Sequence, residues 1–171
     1  MSFWPPIKTA LENVFLRATD VPFVWAEEAR RVLRPPVGIL ELGQSMAVGR
    51  DSYGYTFRDS DITLNISGYR ELTIGVQLVS KLAKNTPSSR VLAEKARLAL
   101  ANPVYRDELR MAGLVFVESH PLVNLDRDHR VTKELRSSFD VVFRLMLLEQ
   151  QSIKSGEFFE YSDVEGEFLE Y

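Results

Sequence analysis

The chain has 171 residues, of which 45% are hydrophobic and 26% charged, with a formal net charge of −3 and no cysteine. This length supports one domain with a real core. The missing cysteines exclude disulfides, thiolate nucleophiles and Cys-based zinc sites, and the charge gives no global basic field for nucleic acid.

The opening MSFWPPIK lacks a basic region followed by an apolar run, so no signal peptide is expected. No apolar run reaches the ~20 residues that span a bilayer. The best stretch, Val141–Leu148, is short and contains Arg144. The expectation is a soluble protein with no membrane contact, kept in the cell that makes it or in a particle assembled there.

Taken in chain order, Pro5 and Pro6 suit the first turn of a helix, where a missing N–H costs little. Ile7, Leu11, Val14, Phe15 and Ala18 follow helical spacing, which predicts a helix ending before Val21-Pro22. Val21–Trp25 predicts a short strand. Ala26–Leu33 predicts a helical turn, ended by Arg34-Pro35-Pro36, and Val37–Leu42 a further strand. Ala47–Ser60, AVGRDSYGYTFRDS, is mostly polar with two glycines and reads as a long loop.

Asp61–Ser80 carries the strongest pattern. Ile62, Leu64 and Ile66 alternate with polar residues, as do Leu72, Ile74, Val76 and Leu78. The spacing predicts a hairpin folded at Gly68-Tyr69-Arg70, with both apolar sets on one side. Thr63, Asn65, Ser67, Thr73 and Gln77 then share the other side.

Thr86-Pro87 reads as a helix start, and Val91, Leu92, Ala96, Ala99 and Leu100 form its apolar stripe up to Asn102-Pro103. A short helix, Tyr105–Met111, closes at Gly113. Leu114–Glu118 predicts a strand and His120–Arg130 a polar connection. The last strand, Phe139–Leu148, places Phe139, Val141, Phe143, Leu145 and Leu147 on one face. Its second face, Asp140, Val142, Arg144, Met146 and Leu148, is too apolar to be plainly wet and too charged for plain core, which suits a subunit interface. Gln151–Tyr171 changes character, with six acids, one lysine and five aromatics. Phe158, Phe159 and Phe168 there look like anchors in need of a surface, supplied by a neighbouring subunit.

Signals for chemistry are weak. Gly43–Gly49 has five residues between its glycines and lacks the following Lys-Ser/Thr, so it does not make a phosphate loop. His120 and His129, near Asp126 and Asp128, match no compact ligand spacing and read as solvated loop residues. Asp51, Asp59 and Asp61 read as turn-making acids rather than a catalytic pair. No Gly-x-Ser-x-Gly elbow is present.

Four stretches together resemble the phage neck and tail terminator family. They are Val24-Trp25-Ala26-Glu27 with Arg34-Pro35-Pro36; Gly68-Tyr69-Arg70 leading into Leu72–Leu78; the helix Val91–Leu100 followed by Leu109 and Met111–Leu114; and Arg136–Phe143. The resemblance covers about residues 5–148, and the segment from Gln151 has no counterpart in it. It implies a structural virion protein of the neck or tail, assembled in the host cytoplasm, with no catalytic activity and no cofactor. Similar proteins form a usually hexameric ring on the head-proximal end of the tail tube. The ring ends tube polymerisation and meets the head–tail connector or stopper protein, and DNA passes through its lumen without sequence readout.

The expected fold is α+β: a mainly antiparallel or mixed sheet packed by two or more helices over residues 1–150, with residues 151–171 as an acidic aromatic C-terminal extension. Candidate interface residues are Arg50, Asp51, Tyr53, Tyr55 and Arg58 in the charged loop, Val142, Arg144, Met146 and Leu148 on the last strand, and Phe158, Phe159 and Phe168 beyond it. The rival readings are another head–tail joining protein (a stopper or tail completion factor), a small metal-dependent hydrolase or nuclease, and a monomeric module recruiting a basic partner through the acidic segment.

Overall fold

A computed structural model of the chain describes residues 4–28, 34–58, 61–81, 86–125, 127–128 and 133–153. Three helices are described: α1 (Trp4–Thr19), α2 (Ser89–Ala99) and α3 (Pro103–Met111). The strands are β1 (Phe23–Trp25), β2 (Val37–Arg58), β3 (Asp61–Lys81), β4 (Val115–Ser119), β5 (Val123–Asn124), β6 (Arg127–Asp128) and β7 (Lys133–Ile153). They form one seven-stranded sheet in the order β1-β2-β3-β7-β4, with β5 and β6 also paired to β7. The fold is therefore α+β with a mixed sheet, as the sequence pattern predicts. β1 runs parallel to β2, while β4, β5 and β6 run antiparallel to β7. Between β3 and β7, Glu71 meets Arg144 and Asn65 meets Gln150, so numbers fall on one strand as they rise on the other.

Two predicted features are corrected. Ala47–Ser60 is not a loop: its described part, through Arg58, is the second half of β2. Gly68-Tyr69-Arg70 is not a turn but the middle of the 21-residue β3. The physical reason lies in the alternation itself. Ile62, Leu64, Ile66, Leu72, Ile74, Val76 and Leu78 are all even-numbered, so the period of two keeps its phase through Gly68. The predicted polar connection after His120 also holds β5 and β6. Of the predicted helical turn at 26–33, Ala26–Glu28 form a turn and 29–33 lie outside the described residues.

The chain divides into two compact units. Unit 1 is Met1–Met46 with Arg70–Leu145, and unit 2 is Ala47–Tyr69 with Met146–Tyr171. β2, β3 and β7 each supply residues to both.

Unit 1 holds the helices and the core. Ile7, Leu11, Val14 and Phe15 of α1 are buried, as are Leu92, Ala93 and Ala96 of α2. From the sheet come Leu40, Leu72, Ile74, Val76, Leu78, Phe139, Val141, Phe143 and Leu145. Each fully buried Leu, Val, Ile or Phe stabilises by roughly 1.5–3 kcal/mol. Phe15 stacks on Phe23 with ring centroids 5.1 Å apart, which locks α1 to β1. Lys8 of α1 lies 5.3 Å from the Trp25 ring centroid and pairs with Glu27 and Glu28, closing the same corner.

The helix ends follow local chemistry. Ser88, not Thr86, caps α2, its side chain accepting from the Val91 N–H. Asn102 caps α3 in the same way through the Val104 N–H, with Pro103 in the first turn, so the pair that the sequence reads as a stop is also a start. α3 closes with Gly113 at φ 89°. The Gly113 N–H bonds Arg110 O and the Leu114 N–H bonds Leu109 O, while the Leu109 and Leu114 side chains are both buried. At the start of α2, the buried Ser89 Oγ lies 2.9 Å from Ser137 Oγ, which in turn lies 3.1 Å from Asn124 Oδ1.

Candidate assembly surface

Among the described residues, unit 2 is built from β2, β3 and β7 alone, because all three described helices belong to unit 1. Its register is marked by a polar row. Asn65 Nδ2 donates to Thr56 Oγ1 at 2.8 Å, and Gln150 Nε2 donates to Asn65 Oδ1 at 2.9 Å. Thr56, Asn65 and Gln150 therefore share one face of three neighbouring strands. Alternation puts Tyr53, Tyr55 and Phe57 on the opposite face, beside Leu64 and Ile66 of β3.

That opposite face is open. Tyr53, Tyr55 and Phe57 are 68%, 51% and 67% exposed. Ile62, Leu64 and Ile66 beside them are half-buried. Three aromatic side chains in a row on one strand face are costly to leave in water, which makes this face a candidate interaction surface. The backbone supports the same use. β1 covers only Gly38–Leu40 of β2, so among the described residues the rest of β2 has a partner strand, β3, on one side only. Such an edge accepts another strand.

Gly49 lies within β2 at φ 80°, in the left-handed region that favours glycine.

The remaining candidate residues fall in several places. Arg50 is exposed and Asp51 half-buried, just ahead of the aromatic row. Arg58 ends β2, and its side chain is outside the described set, as are Phe158, Phe159 and Phe168 entirely. Val142 is half-buried in unit 1, where the exposed Arg144 donates to Glu71. Met146 and Leu148 in unit 2 are 59% and 60% exposed and, sharing phase with Gln150, lie opposite the aromatic row. Unit 2 thus carries exposed apolar side chains on both faces. Phe57 is the residue that sequence reasoning missed. The signal was present as Tyr53-x-Tyr55-x-Phe57, a period of two hidden by the two glycines and the polar residues between.

Among the described residues no group of three His, Asp or Glu side chains comes together to hold a metal. His120 Nε2 lies 3.7 Å from Glu118 Oε1, both on the surface. His129 and Asp59 lie outside the described residues, as does the Asp61 side chain. Among the described residues, two groups have displaced pKa values, and both sit on α1. The hydrogen bonds that Lys8 donates to Glu27 and Glu28 raise its pKa, and partial burial raises that of Glu12. No described helix is long and apolar enough to cross a membrane. No protein-family model matches the chain, and no curated protein matches it.

Proposed function

We propose that this chain is a structural virion protein that closes into a ring at the head-proximal end of a phage tail tube. The ring ends tube polymerisation and offers a second surface to the head–tail connector. The observation that carries the reading is the exposed row Tyr53, Tyr55, Phe57 on a strand whose edge, among the described residues, is open beyond Leu40. A surface of this kind needs a protein partner, and a contact repeated head to tail around an axis closes into a ring. The family resemblance over residues 5–148 supplies the setting and the expectation of six copies. In this reading the chain carries no cofactor and makes or breaks no bonds, and DNA crosses the lumen without sequence readout.

The direct test is tube growth in vitro. Purified chain added to polymerising tail tube protein should give tubes that stop lengthening, with a ring at one end in electron micrographs. Tubes that grow unaltered and carry no ring would contradict the proposal. If the chain binds the connector yet leaves tube growth unaltered, the stopper role replaces the terminator role.

A further inference from the structure

A cavity of about 300 Å³ opens in unit 1 where the end of α1, the end of α2 and the start of α3 meet. Arg17, Lys95, Leu98, Asn102 and Tyr105 line it. Its character is basic and apolar together. The Arg17 guanidinium lies 5.2 Å from the Tyr105 ring centroid and pairs with Glu108. Lys95 is exposed and has no acidic partner among the described residues. α2 carries Arg90, Lys95 and Arg97 against the single acid Glu94. Leu98 stands at the rim 67% exposed, so the cavity mouth has an apolar side chain that the described residues leave uncovered.

The complementary chemistry is in the chain itself. Glu157–Tyr171, EFFEYSDVEGEFLEY, holds six acids, five aromatics and no base. We infer that this segment of a second copy docks on the α1–α2–α3 cavity, with Phe158 or Phe159 against Leu98 and Tyr105 and the flanking Glu157 and Glu160 facing Lys95 and Arg17. Charge complementarity and the match of aromatic anchors to an apolar rim argue for this occupant. Residues 154–171, eighteen in all, follow β7. Extended, they reach on the order of 60 Å, enough to cross to a neighbour. The assignment to a second copy rests on the ring reading, which requires each copy to present two different surfaces, one donating and one accepting.

The test is photo-crosslinking in the full-length chain with Phe158→p-benzoylphenylalanine, in an equimolar mixture of ¹⁴N- and ¹⁵N-labelled copies. Crosslinks should fall on the Lys95–Tyr105 stretch, with mixed-isotope pairs as abundant as same-isotope pairs. Lys95→Glu with Leu98→Glu, both exposed positions that leave circular dichroism unchanged, should lower the crosslink yield about tenfold. Same-isotope pairs alone would place the segment on its own chain and overturn the inference. Crosslinks elsewhere, or a yield unmoved by the double substitution, would overturn it too. If the intact chain associates while crosslinks miss the cavity, this docking fails and the ring reading stands. A chain that stays monomeric at assembly concentration overturns both.

Discussion

At the scale of single residues, two glycines are fixed by their surroundings for different reasons. Gly38 pairs with Phe23, and a Cβ at that position would overlap the Phe23 ring, which itself stacks on Phe15. Gly38→Ala should therefore cost about 1–3 kcal/mol in urea unfolding, the size of an overpacked core. Gly113 has open space around its Cα but a φ of 89°. Gly113→Ala should cost about 1–2 kcal/mol through backbone strain alone, with no change in packing. Glu12 gives a pH-dependent case. Partial burial raises its pKa in the folded chain, so the folded state holds the proton more tightly than the unfolded state. Ionised Glu12 then weakens folding at neutral pH and protonated Glu12 does not. Glu12→Gln should raise the unfolding midpoint at pH 7, and the gain should vanish as pH falls through the raised Glu12 pKa. A gain that persists under acid would contradict that cause.

At the scale of elements, β3 makes the sharpest prediction. Tyr69 and Arg70 sit mid-strand between β2 and β7, so their amides should exchange slowly, whereas a hairpin turn there would leave them fast. The helices were legible because each carried its own signal: proline in the first turn of α1 and α3, an apolar stripe, and Gly113 at the end. The middle of β7, Phe139–Leu148, was legible from Phe139, Val141, Phe143 and Leu145, all buried. The full lengths of β2, β3 and β7 were not. A glycine followed by Tyr-Arg looks like a turn locally, and only the unbroken even-numbered phase from Ile62 to Leu78 argues for a straight strand. The second half of β2 was hidden for another reason. Strand patterns are read from burial on one face, and residues 52–57 are exposed on both. Sequence reasoning names Tyr53 and Tyr55 as candidates yet omits Phe57, because the segment reads as a loop with no alternation to follow.

At the scale of the whole chain, the proposed reading gives stability and assembly to different parts. Unit 1 carries the described helices and the buried core, while the described part of unit 2 consists of segments of three strands and exposes aromatic side chains. On the proposed reading, another protein molecule covers these side chains. Substituting them should therefore move association and leave folding nearly untouched, within about 0.5 kcal/mol, as for other surface positions. The most direct measurement is sedimentation velocity of the intact chain and of the Tyr53→Ser, Tyr55→Ser, Phe57→Ser variant, over a range of concentrations. The account predicts a discrete ring species for the intact chain, and a variant that sediments as a folded monomer with unchanged circular dichroism. An intact chain that remains monomeric at every concentration, or a variant that forms the same ring, would contradict it.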